Sequence, residues 1–271
     1  MSYNVRVAFP GEDRDRWERR KESVSSTIYF HRPDIVGLQE PTDRQLSDLR
    51  ERLPGYRWIG VGRRDGETDG EYCPIGYRPN RFDLENHATF WLSASPDEPG
   101  SIGWDAAYPR LATQVELRDI ETDARIRVFN THFDHEGEMA REESARLLRR
   151  RINSTGRQPT VVTGDFNCVA DSAPYRILTD SSSNARRLVD AMNAAERPHH
   201  GPRATYTDFD SPSSGRKIDH VFVTPDVQVR QHATCADTRP DGRFPSDHLP
   251  LVADVALPAG DGSGELSECG H

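Results

Sequence analysis

Pro159-Thr160-Val161-Val162-Thr163-Gly164-Asp165-Phe166-Asn167 is the stretch on which the reading of this chain turns. Its first half is a short β-branched run, which reads as a buried strand. The strand ends in Gly-Asp-x-Asn and so delivers a carboxylate and a carboxamide together at a sheet edge. Gly164 leaves no side chain where the backbone must turn or a substrate must come close. Asp165 and Asn167, two residues apart, point to the same side if the chain stays extended. A carboxylate there can hold a water or a metal ion, and the amide can donate to a phosphoryl oxygen without adding charge. The same residues can also form a plain Asx-turn. Their meaning therefore depends on what the other strand ends carry.

Those ends carry polar residues that a core would not choose. Asn4 sits among Tyr3, Val5 and Val7, and Gln39-Glu40 follows Ile35 to Leu38. Glu71 opens Tyr72 to Ile75, and Asn130-Thr131-His132 closes Ile126 to Phe129. Asp219-His220 lies inside Ile218 to Val223, and Ser246-Asp247-His248 precedes Leu249 to Val252. Taken singly, each has a plainer reading: a solvated carboxylate at Glu40, a backbone-satisfying amide at Asn4, core histidines at 132 and 248, and an ion-pair partner of Arg216 or Lys217 at Asp219. Buried ionisable groups are costly unless paired or metal-bound, and so many coincidences at strand ends point to one chemistry. Hard ligands such as Asn4, Glu40 and Asp247 suit Mg²⁺ or Mn²⁺ rather than zinc. Asp165 can orient or deprotonate water, and Asn167 with a histidine can stabilise a pentacovalent phosphorus. Asp219 can fix the tautomer of His248 and raise its basicity.

Around these motifs the chain alternates strands and helices. Strands are expected at 2–8, 34–38, 56–62, 72–78, 81–92, 111–120, 124–133, 159–164, 218–223, 227–236 and 250–255. Helices are expected at 14–30, with Trp17, Val24, Ile28 and Tyr29 on its apolar face, at 42–53, capped by Thr42, and at 136–153, acidic at its start and basic at its end as the helix dipole prefers. Shorter helical pieces are expected at 173–179 and 185–195. The Pro- and Gly-rich segment 93–110 is a long loop of the kind that often serves function. Without an internal repeat or linker, the pattern implies a single α/β sandwich over residues 1–257, followed by a disordered Gly/Ser/Glu-rich tail at 258–271.

Composition narrows the partners. The 271 residues carry a net charge of -9, and Lys21 and Lys217 are the only lysines. An acidic surface of this kind disfavours a broad, sequence-independent grip on a nucleic-acid backbone. It suits a high-salt cytoplasm or, equally, GC-rich coding. No run of 18 apolar residues is present, strand-like sequence follows Met1 directly, and Cys73, Cys168, Cys235 and Cys269 show no metal-type spacing. The expectation is a cytoplasmic protein without disulfides or membrane contact.

In its order of motifs the chain resembles the endonuclease/exonuclease/phosphatase superfamily, which includes deoxyribonuclease I, exonuclease III and the inositol-polyphosphate 5-phosphatases. The resemblance covers residues 2–256 through Asn4, Glu40, Thr131-His132, Gly-Asp-Phe-Asn, Ile218-Asp219 and Ser246-Asp247-His248. It implies a four-layer α-β-β-α sandwich with the site at one edge of two facing sheets. Carried over by position, Glu40 is the principal metal carboxylate with Asn4 beside it, and Asp165 positions the attacking water. Asn167 is a phosphate or water ligand, Asp219 and His248 act as a pair on the scissile phosphate, and Asp247 is a further metal or water ligand. His132 with Glu71 resembles the His-Glu pair of the deoxyribonuclease I branch. The chain departs from the abasic-site repair nucleases by carrying Arg6 where they have Asp, and His220 stands where Tyr is more usual. Trp91-Leu92-Ser93 through Gly103-Trp104-Asp105, with Asn130 to His135, resembles a prokaryotic subgroup of undefined substrate.

The function expected is an Mg²⁺- or Mn²⁺-dependent phosphoesterase in which water attacks phosphorus in line. A phosphorylated small molecule and a nucleic acid compete as substrate. Trp104 and Arg110 on the long loop, and Arg203 in the His- and Arg-bearing segment before Asp219, are the candidate substrate contacts. A catalytically dead binding domain and a phospholipid phosphodiesterase are the rival readings. The first would ordinarily have lost a ligand or the Asp-His pair, and the second lacks an exposed aromatic hairpin.

Overall fold

The computed structural model describes residues 1–9, 14–154, 156–180 and 186–258. The chain opens with β1 (Ser2–Asn4), α1 (Trp17–His31), β2 (Ile35–Gln39), α2 (Asp43–Arg52), β3 (Arg57–Ile59) and β4 (Ile75–Tyr77). It continues with β5 (Phe82–Trp91), β6 (Leu111–Asp119), β7 (Arg125–His132), α3 (Glu138–Ser154), β8 (Thr160–Asp165) and α4 (Ala173–Thr179). It closes with β9 (Val189–Asp190), α5 (Ala191–Ala194), β10 (Asp219–Val223), β11 (Gln228–Thr234) and β12 (Leu251–Ala256). One sheet has the order β11-β12-β1-β2-β4-β3 and the other β5-β6-β7-β8-β10-β9.

In each sheet a single pair of neighbouring strands is parallel, β1 with β2 and β7 with β8. Parallel neighbours need a crossover, and α1 and α3 supply it on the outer faces. Trp17, Val24 and Ile28 of α1, with Leu49 of α2, pack on Tyr3, Val36 and Leu38 of the first sheet. Ala145, Leu148 and Ile152 of α3, with Tyr175 and Leu178 of α4, pack on Phe129, Val162 and Phe222 of the second. Val115, Val128, Val221 and Val229 fill the space between the sheets with Ile75 and Leu251. The layers are therefore α-β-β-α.

This topology positions the site. The C-terminal ends of β1, β2, β7 and β8 lie at one edge, where the ladder sets Asn4 against Gln39 and His132 against Asp165. The antiparallel β10 brings its first residue, Asp219, into register with Asp165. The sheets touch closely just behind that edge. A Cβ on Gly37 would lie 2.5 Å from Asn130 Oδ1 and closer still to Thr163 Oγ1. Asn130 bridges the gap: its Nδ2 donates to Leu38 O at 2.6 Å and Pro74 O at 3.0 Å, and its Oδ1 accepts from Gln39 Nε2 at 2.7 Å.

Several expected elements differ. The first strand stops at Asn4 instead of residue 8, because Arg6 turns the chain with φ 59°. The expected strands at 56–62 and 72–78 shorten to β3 and β4. The helix expected from 185 is not formed over 189–190, because Val189 and Asp190 pair with Val223 and Phe222 of β10. Only 191–194 is helical, with the Asp190 carboxylate accepting from Met192 N at its start. Tyr29, expected on the apolar face of α1, is 71 % exposed, and Arg20 takes an inward position instead. Apart from Pro258, the tail expected at 258–271 lies outside the described residues. Among the described residues Cys73, Cys168 and Cys235 are free, and no helix is long and apolar enough to cross a membrane.

Candidate active site

Asn4 is the hinge of the site. Its Nδ2 donates to Glu40 Oε1 at 2.8 Å and to Asp165 Oδ2 at 3.0 Å, joining the two sheets. Its Oδ1 accepts from Arg6 N at 3.0 Å, across the tight turn that ends β1. Glu40, just past β2, has φ 72°, and Oε2 accepts from Val7 N at 2.7 Å. Burial pushes the Glu40 carboxyl up, but the Val7 N–H, His248 and Asn4 outweigh it and keep it below its usual range. Asp247 stands beside this group with Arg6 Nη1 at 3.3 Å, and its carboxyl is raised by burial and by Glu40.

Asp165 occupies the centre. Its Oδ1 accepts from Asn167 N at 2.9 Å, an Asx-turn that carries Asn167 at φ 46°. The turn and the functional reading coexist: the Asn167 side chain points back, donating to Phe133 O at 3.0 Å and standing 3.1 Å from His132 Nε2. Burial, with Asp219 adding to it, pushes Asp165 up to about 7. Asp165 Oδ2 lies 3.5 Å from His132 Nε2 and 3.7 Å from His248 Nε2.

His248 joins the sheets a second time, with Nδ1 2.8 Å from Asp219 Oδ2. Burial pulls His248 down, but the Asp219 and Asp165 carboxylates overcome it and hold it well above the ordinary imidazole value. Thr205 Oγ1 accepts from Ile218 N and Asp219 N at 3.0 and 3.1 Å, which fixes the start of β10. Burial lowers His132 well below its usual value, and Arg110 and Arg63 add to the effect.

The structure thus gathers Asn4, Glu40, His132, Asp165, Asn167, Asp219, Asp247 and His248 at one edge. Of the remaining candidates, Glu71 and Arg110 have other partners. Glu71 does not pair with His132: Arg63 Nη1 takes its Oε2 at 2.6 Å, and Asn167 stands against His132 instead. Arg110 is buried against Asp134 Oδ2 at 3.2 Å, beside His132. Trp104 lies on the loop whose next residue, Asp105, accepts from Met139 N and Ala140 N of α3 with its carboxylate. Arg203 is exposed and makes no hydrogen bond or ion pair with the site among the described residues.

Some supporting residues went unread in the sequence. Fully buried Arg20 donates to Val5 O, Arg6 O and Pro245 O at 2.7, 3.0 and 2.9 Å, tying the end of β1 to the segment bearing Asp247 and His248. Its signal was an arginine on the Trp17, Val24, Ile28 stripe. His220, singled out in the sequence beside Asp219, points away from the centre, with Nε2 3.0 Å from Cys168 O, bracing the Asp165-to-Cys168 turn. Arg63 had no signal.

Ligand atoms of Glu40, His132 and Asp165 lie within 4.8 Å of one another, as do those of Asp165, Asp219 and His248. Crowded buried carboxylates whose charges oppose one another would be relieved by a cation. These groups could bind a metal ion.

Residues 1–248 match the Endonuclease/Exonuclease/phosphatase family. The chain is similar to the structure of an endonuclease/exonuclease/phosphatase from Bacteroides vulgatus, at 40 % identity and TM-score 0.89 over 95 % of this chain and 97 % of that one. It is similar to the mannosyl-6-phosphatase Bt3783 of Bacteroides thetaiotaomicron, at 34 % identity and TM-score 0.87 over 94 % and 98 %. It is 26 % identical to human Nocturnin, over 95 % of this chain and 64 % of that protein. Family, fold and site motifs agree, and the chain belongs to the Endonuclease/Exonuclease/phosphatase family of phosphoesterases and nucleases.

Proposed function

We propose that this protein is an Mg²⁺- or Mn²⁺-dependent phosphoesterase that hydrolyses a phosphate ester by in-line attack of water. The observation that carries the reading is the double bridge across the sheets, Asn4 to Glu40 and Asp165, and His248 to Asp219. It brings a carboxylate able to take a proton and a charged imidazole able to give one to the same few ångströms.

Glu40, with the Asn4 amide and Asp247 beside it, would hold the metal ion. The ion, when bound, neutralises phosphoryl charge and stabilises the leaving oxygen. Asp165, raised towards neutrality by burial and Asp219, orients the water and accepts its proton. Charged His248, kept so by Asp219, donates to a phosphoryl oxygen as negative charge grows there. Asn167, locked by its backbone turn and with its Nδ2 held by Phe133 O and His132, turns its Oδ1 to accept from the water.

A nuclease acting on DNA or RNA through the same residues is the second reading, favoured by the nucleases of the family. A panel of sugar phosphates, nucleotides, inositol phosphates, lipid head groups and nucleic acids, assayed with Mg²⁺ or Mn²⁺, separates them. Turnover of a small ester that stops in EDTA and returns with either ion supports the proposal. Hydrolysis unaffected by EDTA would refute it.

A further inference from the structure

We propose that Arg63 and Arg110 form a subsite for one unesterified phosphoryl oxygen, so that the substrate is a phosphomonoester and not an internal phosphodiester. This rests on the phosphoesterase reading above.

Both side chains are buried, at 7 % and 5 % exposure, and among the described residues each has a donor with nothing to donate to. Arg110 spends Nε on Asp134 and holds Nη2 3.1 Å from His135 Nδ1, which leaves Nη1 without a partner. Arg63 spends Nη1 on Glu71, which leaves Nε without one. A buried donor left unpaired costs about 1–3 kcal/mol. Neither side chain can readily swing out. The Arg63 guanidinium lies 5.0 Å from the ring centre of Tyr108, which stacks on His135 at 5.9 Å.

The two arginines line a space of about 10 Å³ with Glu71, Cys73, Leu111 and His132. It adjoins the centre, since His132 Nε2 lies 3.5 Å from Asp165 Oδ2. A space of that size takes one water or one ligand oxygen. Glu71 is already neutralised by Arg63, so the unspent donors select an acceptor. A phosphomonoester offers three unesterified oxygens and a diester two. His248 and the metal side account for two. The third is the oxygen left for the arginines, and in a diester that position carries carbon, which a water-sized space does not admit.

The test compares p-nitrophenyl phosphate with bis(p-nitrophenyl) phosphate under Mg²⁺, using wild type, Arg110→Lys and Arg63→Lys. Arg110→Lys keeps a cation for Asp134 while removing Nη1. Wild type is expected to favour the monoester. Each variant should lose about 100-fold in monoester kcat/KM and far less on the diester, with inhibition by inorganic phosphate weakened in parallel. A wild type that prefers the diester, or variants that lose both activities equally, would overturn the subsite. Should wild type turn over neither these esters nor any member of the panel above, the phosphoesterase reading fails. Calorimetric binding of inorganic phosphate then decides the subsite: weaker binding in both variants keeps it, and equal binding removes it. If Arg110→Lys does not fold, the Arg63→Lys ratio decides.

Discussion

Gly37→Ala tests how the two sheets hold the site together. The new methyl would sit 2.5 Å from Asn130 Oδ1 and nearer still to Thr163 Oγ1, both on the facing sheet, so the strands must part by about 1 Å. Overpacking of this kind costs about 1–3 kcal/mol. Parting also stretches the Asn130 bonds to Leu38, Pro74 and Gln39, each worth about 1 kcal/mol. With half of that bonding retained, the loss is about 3.5 kcal/mol, a fall in Tm of about 10 °C. Activity should drop further, because Asn4 and Glu40 lie on one sheet and Asp165 on the other, and a 1 Å misplacement costs about 100-fold. Urea unfolding and kcat on the best substrate measure both effects. The nearest atom belongs to Thr163, so adding Thr163→Ala should recover at least 1 kcal/mol of the loss in a double-mutant cycle. A Gly37→Ala protein within 0.5 kcal/mol of wild type and fully active would refute the account.

Asp219→Asn should cut kcat by about 1,000-fold or more, by placing an amide where His248 Nδ1 needs an acceptor, with little change in KM; a tenfold loss would show the pair to be dispensable. Asp165→Asn and His248→Ala should each abolish turnover in a folded protein, checked by circular dichroism alongside the assay, and wild-type rates in either would remove the assignment. Asp134 is held near 2 because its backbone partners, chiefly Gly137 N–H, and Arg110 outweigh the burial that pushes it up. Its folded value lies below the unfolded one, so its contribution is complete above about pH 4 and is lost as pH falls towards 2. The urea midpoint of Asp134→Asn should therefore lie below that of wild type at pH 7 and converge on it near pH 2; a constant gap would show that the charge is not the cause.

The strand order at the site was legible because alternation and strand-end polarity are local: Asn4, Glu40, His132, Asp165, Asp219 and Asp247-His248 could each be picked out from a few neighbours. What was not legible were choices between partners distant in sequence. Glu71 had His132 and Arg63 within reach, and its spacing along the chain could not reveal that a loop folding back at Gly62 and Gly70 brings Arg63 closer. Arg20 looked like a surface charge on α1, because its acceptors, Val5 O, Arg6 O and Pro245 O, are backbone groups that no side-chain pattern announces. The helix expected over 185–195 failed over 189–190 for a related reason: pairing with β10 overrode local propensity. Trp104 reads as a substrate contact because a long loop bearing an aromatic is common at active sites, whereas the anchoring of that loop to α3 through Asp105 has no local signal.

The Asn4–Asp165 and His248–Asp219 contacts each have one partner on either layer. Half of the machinery is thus inert without the other half, and competence emerges only when the layers dock. During refolding, backbone ellipticity should return ahead of turnover, and the lag between the two signals is a clock for that docking.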